Sequence, residues 1–339
     1  MKKVSDFQYT GKSGMSKENP VIAVVIPCYK VKGHVLDVIK RIPENAAYIF
    51  CVDDACPEQS GEFIKRACTD PRVQILRHDK NQGVGGAMVT GYEAALKTDA
   101  DIVVKVDGDG QMPPEILPAF VAPIAAGLCD YTKGNRFYRP EDVRSMPRIR
   151  LFGNGLLSFV TKLSSGYWNS FDPNNGYTAI HTNVLRRLPL HKIARDYFFE
   201  SDMLFRLNLL HAVVIDIPMQ AVYANEISSL DIKSILWPFI RGHVRNFYKR
   251  VGYNYFLRDF HLASLELMLG IIFLLFGTFF GIAEWRADAA AHVTASAGTV
   301  MLSALPVILG FQMLLSFLQF DIQSVPRFAI HQGLPAEKT

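Results

Sequence analysis

Three oxygen-bearing side chains stand at alternate positions in a turn that directly follows an apolar run. The run is DIVVKV, and the side chains are those of Asp107, Asp109 and Gln111, separated by Gly108 and Gly110. Two carboxylates and an amide oxygen are hard ligands that suit Mg²⁺ or Mn²⁺. A divalent ion held there would bridge a substrate diphosphate and stabilise the charge on a departing phosphate group. The alternative for this motif is a solvated acidic turn.

A second pair of carboxylates, Asp53 and Asp54, ends the apolar run YIFCV in the same way. A carboxylate at such a position can accept hydrogen bonds from the edge of a base or from a ribose hydroxyl. It can equally cap the helix that follows. The residues alone leave both roles open for each aspartate.

Small residues dominate the segment from Asn81 to Ala87, which includes Gly83, Gly85 and Gly86. Small residues at the start of a helix allow close approach to the backbone, and we expect free N–H groups there for an anion. The spacing matches neither the Walker loop nor the dinucleotide-binding GxGxxG pattern. ATPase and NAD-dependent functions therefore lose their main support.

The apolar runs predict the elements that position these side chains. VIAVVIP, YIFCVDD, VQIL and DIVVKVD alternate with helical stretches. Runs that are apolar at nearly every position suit parallel strands buried on both faces, with helices as crossovers. The sequence therefore predicts an α/β fold with a doubly wound, mostly parallel sheet, which binds ligands beyond the carboxyl ends of its strands. Those ends carry Pro27–Tyr29, Asp53–Asp54, His78–Gly83 and Asp107–Gln111.

The last third of the chain predicts a membrane attachment. Residues 231–261 interleave aromatic and basic residues, as helices at a membrane interface do, and nucleic acid binding is the competing interpretation. Leu262–Ala283 has one charged residue, Glu266, and Gly298–Phe320 has none. As helices, both exceed the roughly 30 Å hydrocarbon core of a bilayer. We predict a two-helix transmembrane hairpin, with two buried helices of a soluble protein as the alternative, and we assign no role to Glu266.

Charge distribution predicts the orientation of this hairpin. The linker EWRADAAAHVTAS carries a single arginine, whereas the segment before the first helix carries Arg241, Arg245, Lys249, Arg250 and Arg258. By the positive-inside rule, the preceding domain and both termini should lie in the cytoplasm of an integral membrane protein.

Composition adds three limits. A net charge of +4 over 339 residues is too small to imply a nucleic acid partner. The five cysteines form no CxxC or Cys/His metal spacing, which suits reduced thiols in a cytosolic domain. Residues 1–20 contain no apolar segment of the kind that a secretory signal needs, and we expect a flexible lead-in.

Several motifs, taken together and in order, resemble one enzyme family. They are VVIPCYK, CVDDACPE, NQGVGGA, KVDGDGQMPPE, KGNRFY, DPNNGYTAI and FFESD. They are similar to the motifs of the inverting family 2 glycosyltransferases, and more narrowly to those of the polyprenyl-phosphate (dolichyl-phosphate type) hexosyltransferases. The resemblance covers residues 21–230, and the hairpin that follows is similar to that of bacterial members.

This resemblance implies a GT-A fold and a set of site residues. The metal would lie at Asp107, Asp109 and Gln111. The nucleotide would be surrounded by Pro27, Tyr29, Asp53 and Asp54, with Asp107 and with Gly83 of the glycine-rich segment beside them. The acceptor phosphate or the donor diphosphate would face Arg136, Arg150, Asn154 and Ser158. Arginine suits that task because its planar fork binds phosphate oxygens bidentately.

Two motifs depart from the family pattern. Lys30 and Val31 stand where the family usually has Asn-Glu, and residues 224–230 are ANEISSL where it often has Arg-x-x-Gly-x-Ser-Lys. The phosphate-binding basic residue of the later motif is therefore missing. The sequence does not choose among its possible substitutes, which are Lys133, Arg148, Lys233 and Arg245.

The resemblance also implies a mechanism. A polyprenyl phosphate is anionic near neutral pH, since the second pKa of a phosphate monoester is about 6. Its oxygen would attack the anomeric carbon in line and invert it, with positioning and charge neutralisation dominating catalysis. A hydroxyl acceptor would instead need a carboxylate base, which Glu200 or Asp202 could supply. The same two residues could also serve only to orient arginines on the acceptor side.

We therefore predict transfer of one hexose-type sugar from a UDP- or GDP-linked donor to undecaprenyl or dolichyl phosphate at the cytoplasmic membrane face. One alternative is a family 2 enzyme acting on a hydroxyl of a glycolipid or polysaccharide; the other is a non-catalytic, nucleotide-sugar-binding membrane subunit. The sugar and the oligomeric state stay open, a homo-oligomer included. The predicted parts are a flexible N-terminus (1–20), a catalytic domain (21–230), interfacial helices (231–261), the hairpin (262–320) and a cytoplasmic tail (321–339).

Overall fold

The computed structural model describes residues 19–138, 148–220 and 232–334, without the side chains of residues 148–150 and 232–235. Seven strands form one sheet: β1 (Ile22–Cys28), β2 (Ala46–Asp53), β3 (Val73–Arg77), β4 (Ile102–Lys105), β5 (Tyr131–Asn135), β6 (Thr178–His181) and β7 (Val214–Pro218). The helices of the described residues are α1 (Val35–Arg41), α2 (Ser60–Ala67), α3 (Gly83–Ala95), α4 (Leu117–Ala125), α5 (Arg148–Ser165), α6 (Thr182–Leu185), α7 (Phe199–Leu209), α8 (Ile232–Gly252), α9 (Leu262–Ala291) and α10 (Ala297–Gln323).

The sheet has the strand order β3-β2-β1-β4-β6-β5-β7. Neighbouring strands run parallel except at β6, which is antiparallel to β4 and to β5. The predicted α/β fold with a mostly parallel sheet is confirmed. The four apolar runs form β1 to β4, but β3 is an edge strand and is only partly buried. The sequence did not indicate β5, β6 and β7, because these short strands lie among polar residues and turns.

Alternate residues of β1 serve two apolar layers. Ile22, Val24 and Ile26 pack on one side of the sheet with α1 and α4, whereas Ala23 and Val25 pack on the other side with α3 and α7. Fully burying a side chain of this size contributes about 1.5–3 kcal/mol. Burial on both faces thus fixes the register of the strand and the place where it ends, which is the edge that carries the predicted site residues.

Two long apolar helices, α9 and α10, form an antiparallel hairpin. They contain 30 and 27 residues, enough to cross a membrane, and most of their side chains are exposed. Ser264 caps the start of α9 by accepting a hydrogen bond from the N–H of His261, and Ser296 caps α10 through Thr299 N. Glu266, the one charged residue in the predicted first span, accepts a hydrogen bond from Ser316 Oγ at 2.7 Å. This hydrogen bond joins α9 to α10 at the position of Glu266.

The helix before the hairpin, α8, is bonded to both neighbouring parts of the chain. Arg250 is buried and forms an ion pair with Asp321 in the last turns of α10, with Nη1–Oδ1 at 2.5 Å. Its Nη2 also donates to the Leu163 carbonyl of α5 at 2.8 Å. Tyr255, in a π-helical turn after α8, donates to the same aspartate at 2.6 Å. These contacts join the sheet domain to the base of the hairpin.

After α10 the chain returns to the sheet domain. The short helix Ile330–Gln332 places His331 against Asp130, just before β5. Asp130 is buried and accepts hydrogen bonds from the backbone N–H groups of Val213, Ile330 and His331 at 2.8–3.0 Å, and its Oδ1 lies 2.7 Å from His331 Nδ1. The segment that follows the hairpin is therefore held by the sheet domain.

Candidate active site

The acidic DGDGQ loop follows β4 and lies against the end of β1. A Cβ on Gly108 would lie 3.2 Å from the Ile26 side chain, so the loop approaches the first strand closely. Asp109 Oδ1 accepts a hydrogen bond from Gln111 N at 3.0 Å, which fixes the turn. Asp107 and Asp109 are both partly exposed. The two carboxylates are therefore accessible at the carboxyl end of the sheet.

A buried lysine links two acidic groups of this site. Lys105 Nζ lies 2.7 Å from Asp107 Oδ1 and 3.3 Å from Glu200 Oε1. It also donates to the Gly176 carbonyl at 3.1 Å. A Cβ on Gly176 would lie 2.0 Å from Asp107 Oδ2, so only glycine fits there. The end of β4, the DPNNGY loop and the start of α7 thus meet at Asp107.

Burial and the neighbouring charges shift the pKa values of Lys105 and Glu200. Burial disfavours the ammonium form of Lys105, but the carboxylates of Asp107 and Glu200 outweigh burial and raise the pKa of Lys105. Burial also raises the pKa of Glu200, and the nearby Lys105 opposes that shift. The two carboxylates thus favour the ammonium form of Lys105. Glu200 holds its proton to a higher pH than an ordinary glutamate does.

Asp53, at the end of β2, is buried and bonded to the backbone of the next segment. Its Oδ1 accepts from Cys56 N and its Oδ2 from Gly61 N, both at 2.8 Å. The contact with Gly61 supplies an acceptor to the first turn of α2. This is the capping role that the sequence left open. A contact between Asp53 and a nucleotide stays a prediction.

Asp54 organises the glycine-rich segment. Its oxygens accept hydrogen bonds from Gln82 N and Gly83 N, both at 2.8 Å. Its Oδ1 also lies 2.7 Å from His78 Nδ1, and His78 Nε2 lies 2.8 Å from Thr90 Oγ1 on α3. Asp54 therefore ties the end of β2 to the start of α3. Its predicted nucleotide contact would have to be made alongside these bonds.

The expectation of free N–H groups at the start of α3 is wrong for Gly83, Gly85 and Gly86. Gly83 N is bonded to Asp54, and the Arg195 carbonyl accepts from Gly85 N and Gly86 N at 2.8 and 3.2 Å. A Cβ on Gly85 would lie 2.1 Å from the Ala194 carbonyl oxygen. Gly83 and Gly85 pack so closely against the backbone of residues 194–195 that a larger side chain would not fit at either position. Whether Gly83 borders a nucleotide stays a prediction.

Pro27 and Tyr29 lie at the carboxyl end of β1. Pro27 is opposite Val52 in the sheet register. The Tyr29 ring is exposed, and the Lys30 ammonium lies 5.6 Å from its centroid. An exposed ring at this edge offers a face on which a base can stack.

Arg136 follows β5 and binds Asp172 of the DPNNGY loop with both prongs of its guanidinium. The Nε–Oδ2 and Nη2–Oδ1 distances are both 2.7 Å. Ser158 Oγ, on α5, accepts a hydrogen bond from Asp172 N at 3.3 Å. Burial would raise the pKa of Asp172, but the bonds from Arg136 outweigh burial and lower it. Arg136 and Ser158, both predicted to face phosphate, are therefore brought together around Asp172.

The other two residues predicted to face the acceptor, Arg150 and Asn154, lie on α5. Arg150 lies in the first turn of α5, one turn before Asn154, and its side chain is outside the described residues. Asn154 is partly buried. Of the possible substitutes for the missing basic residue, Lys133 is buried and bonded to Asp216 at 3.1 Å, and Arg245 is half-exposed. The side chains of Arg148 and Lys233, and residues 224–230, lie outside the described residues.

Asp202 has no access to a substrate. Its Oδ2 accepts from Ala194 N at 3.0 Å and from Arg206 Nε at 2.8 Å. Its Oδ1 accepts from Asn246 Nδ2 at 3.0 Å and lies 3.6 Å from Arg245 Nη2. The side chain is fully buried, which agrees with the alternative in which it orients arginines. Only Glu200 of the two FFESD carboxylates reaches the acidic loop.

The donor set fits a divalent cation that arrives with its substrate. The described residues contain no group of three or more His, Cys, Asp or Glu side chains that could hold a metal. Asp107 and Asp109 supply two accessible carboxylates. Mg²⁺ in phosphate-transfer sites is bound through one or two carboxylates, with substrate phosphates and water as its other ligands. Two carboxylates are therefore sufficient for such an ion.

The mixed sheet with its acidic loop after β4 defines a GT-A fold, and residues 23–189 match Glycosyl transferase family 2. The undecaprenyl-phosphate mannosyltransferase of Micrococcus luteus is 30% identical over 183 residues, which are 53% of this chain and 73% of that protein. The chain belongs to glycosyl transferase family 2, and it is a glycosyltransferase.

A second relative agrees with this assignment, and a solved structure shares the fold. The UDP-N-acetylglucosamine–dolichyl-phosphate N-acetylglucosaminyltransferase of Methanococcus voltae is 27% identical over 217 residues, 60% of this chain and 86% of that protein. Glucosyl-3-phosphoglycerate synthase from Mycobacterium tuberculosis, solved with Mn²⁺, UDP and glucosyl-3-phosphoglycerate, has a TM-score of 0.51 and 19% identity. That match covers 70% of this chain and 82% of the synthase, and it shows a shared fold.

Proposed function

We propose that this glycosyltransferase transfers one sugar from a nucleotide-sugar to a polyprenyl phosphate in the membrane. The observation that carries the proposal is the Arg250–Asp321 ion pair. Arg250 also bonds to Leu163 of α5, the helix that carries Asn154 and Ser158. The wall predicted to bind the acceptor phosphate is thus fastened to the base of a hairpin long and apolar enough to span a bilayer. Relatives named for undecaprenyl- and dolichyl-phosphate support the same acceptor class.

On the donor side, Asp107 and Asp109, with Gln111, would hold Mg²⁺ or Mn²⁺ against the diphosphate of a UDP- or GDP-linked hexose. The ion would neutralise charge on the departing nucleoside diphosphate. The structural relative solved with Mn²⁺ and UDP supports a metal of this kind. The nucleotide would lie at the carboxyl ends of β1 and β2, bordered by Pro27, Tyr29, Asp53, Asp54 and Gly83.

On the acceptor side, Arg136 and Arg150 would face phosphate oxygens, with Asn154 and Ser158 beside them on α5. The acceptor phosphate is already anionic, so the chain needs to position it rather than to deprotonate it. In-line attack at the anomeric carbon would invert the sugar. In this arrangement Glu200 acts through Lys105 on Asp107, which keeps a metal-binding carboxylate in place.

The catalytic domain would lie in the cytoplasm. The basic residues Arg241, Arg245 and Lys249 precede the hairpin, and its linker carries only Arg286. The segment before α9 contacts the sheet domain through Arg258, which donates to the Leu209 carbonyl of α7, and Asp321 near the end of α10 pairs with Arg250 of α8. Both ends of the hairpin would then lie on the same side of a bilayer that the hairpin crosses. We retain the division into a catalytic domain, interfacial helices, hairpin and tail proposed from the sequence.

One experiment tests acceptor and donor together. Membranes containing the protein are incubated with radiolabelled UDP- and GDP-sugars and with undecaprenyl or dolichyl phosphate. We expect a single-sugar lipid product that mild acid cleaves, as a glycosyl phosphate should be. A lipid product stable to mild acid would indicate a hydroxyl acceptor, and no turnover with any donor would indicate a nucleotide-sugar-binding subunit.

A further inference from the structure

Helix α5 has its polar side buried and its apolar side exposed. Ser158, Thr161 and Ser165 are each at most 3% exposed, and they face the sheet domain. Phe152, Leu156 and Phe159 are 76%, 56% and 52% exposed. These three apolar residues recur at i, i+4 and i+7 and so share one face of the helix. A helix on the surface of a soluble protein has the opposite arrangement.

Helix α8 shows the same inversion. Its buried residues include the polar His243, Asn246 and Arg250, whereas Trp237 and Tyr248 are 72% and 70% exposed. The sequence pattern of aromatic and basic residues predicted a membrane-interface role for residues 231–261, which contain α8, and nothing in it singled out α5. The apolar face of α5 becomes visible only from exposure.

The two inverted helices pack side by side. Ser164 Oγ of α5 lies 2.8 Å from His243 Nδ1 of α8, and the Leu163 carbonyl of α5 accepts from Arg250 of α8. Because both helices turn their polar sides towards the protein, their apolar faces form one surface. This surface consists of Phe152, Leu156, Phe159, Trp237, Ile240, Val244 and Tyr248.

The surface is also continuous with the hairpin. The Phe159 ring packs edge-on against Trp168, with centroids 6.3 Å apart. Trp168 Nε1 donates to Asp321 Oδ2 in the last turns of α10 at 2.8 Å. The chain of contacts from Phe159 through Trp168 to Asp321 therefore places the end of α5 at the level where the hairpin meets the domain. At that level a membrane-spanning hairpin is surrounded by lipid headgroups.

We propose that the apolar face of α5 is a second membrane-docking surface, which lies in the headgroup and upper acyl region of the bilayer beside α8. This inference rests on the membrane location proposed above. Aromatic and aliphatic residues of this kind are what interfacial helices bury in a bilayer. The buried side of α5 contacts Asp172 through Ser158, so docking would hold the acceptor-side wall at headgroup depth. A membrane-anchored phosphate could then reach the site while its chain stays in the lipid.

The test measures where α5 lies in a bilayer. Full-length protein with a nitroxide label at Phe152→Cys, Leu156→Cys or Phe159→Cys is reconstituted in phosphatidylethanolamine–phosphatidylglycerol vesicles. Collision rates with oxygen, which prefers lipid, and with a water-soluble nickel chelate are compared. Tyr248→Cys on α8 and Phe276→Cys on α9 report an interfacial and a spanning position, and Lys65→Cys on α2 reports water. The unsubstituted chain gives the background from its own cysteines.

We expect the three α5 labels to match Tyr248→Cys, with an oxygen-to-nickel ratio several-fold above that of Lys65→Cys. Labels on α5 that match Lys65→Cys, while Phe276→Cys lies in lipid, would overturn the inference and leave the membrane location intact. A water-like Phe276→Cys would overturn both. A lipid-like signal on α5 that needs added polyprenyl phosphate would show that the face binds the acceptor chain instead. Shielding from both reagents with spin–spin broadening would show contact between two copies, which also overturns bilayer docking.

Discussion

Lys105 and Asp107 form an ion pair, Nζ to Oδ1 2.7 Å, in which the lysine is buried and the carboxylate belongs to the acidic loop. Lys105→Met leaves this carboxylate and Glu200 without their cation. Breaking a buried pair by removing one partner costs about 3–5 kcal/mol. We expect a large fall in thermal stability, measured by unfolding of the full-length protein in detergent, together with loss of sugar transfer.

The double variant Lys105→Met/Glu200→Gln is the matched control. It removes both charges of the deeper contact, so stability should partly return because Glu200 is no longer a buried carboxyl group without a cation. Transfer should not return, because Asp107 is still unsupported. A double variant as unstable as the single one would show that Lys105 acts by packing and not by its charge.

Asp109→Ala should abolish transfer while the protein stays folded and bound to the membrane. The side chain is partly exposed, so stability should change little. Loss of one metal-binding carboxylate should lower the rate by at least about 100-fold, which corresponds to about 2.7 kcal/mol. The readouts are lipid-linked product and Mn²⁺ affinity in the presence of nucleotide. Asp37→Ala on α1 is an exposed acidic control, and retained activity in Asp109→Ala would contradict the metal assignment.

The Arg136–Asp172 contact should stabilise the protein far more than a surface pair of similar geometry. Hydrogen bonds to charged groups contribute about 1.5–3 kcal/mol when buried. A double-mutant cycle with Arg136→Lys and Asp172→Asn, measured by thermal unfolding, should give a coupling free energy of that order. The exposed Arg41–Glu115 pair, with distances of 2.6 and 3.0 Å, should give at most about 1 kcal/mol. Equal coupling in the two cycles would contradict this prediction.

The free energy of unfolding should decrease as the pH falls below about 6.5, in part because of His243. Burial lowers the pKa of His243 to about 4, whereas an unfolded histidine has a pKa of about 6.5. The unfolded chain therefore binds the proton more readily between these values. The stabilisation is complete above pH 6.5 and is lost as the pH falls towards 4, by about 1.4 kcal/mol per pH unit.

His243→Asn removes this titration while keeping a polar group near Ser164. The unfolding temperature should fall less between pH 7.5 and 5.5 in this variant than in the unsubstituted protein. His181, whose pKa is also lowered to about 4 by burial, is present in both proteins, so the difference reports His243. Parallel pH curves would contradict the prediction.

The strands that carry the acidic groups could be predicted from the sequence alone. β1, β2 and β4 are apolar on both faces, and a residue that directly follows such a strand must lie at the edge of the sheet. Asp53, Asp54 and Asp107 could therefore be placed without a structure. Their hydrogen-bond partners could not, because Asp54 binds residues 28 and 29 positions away and no periodic pattern encodes those contacts.

The Lys105–Glu200 contact joins residues far apart in sequence, and it was missed for the same reason. One signal was nevertheless present. Lys105 stands inside a run that was assigned to a buried strand, and a buried lysine needs a carboxylate partner. That mismatch between residue and environment predicts an ion pair, although it does not say which carboxylate supplies it. The inverted faces of α5 and α8 likewise require knowledge of which side is covered.

The contact between Asp130 and residues 330–331 has a consequence for biosynthesis. The two partners are about 200 residues apart in the chain, and α9 and α10 lie between them. A ribosome has therefore released the whole sheet domain, and the hairpin has left the exit tunnel, before the last donors to Asp130 emerge. Until then this buried carboxylate has only Val213 N among its described backbone donors. The sheet domain therefore completes the hydrogen bonds of this buried carboxylate only after both long helices have left the ribosome, so its final folding step waits for the end of synthesis.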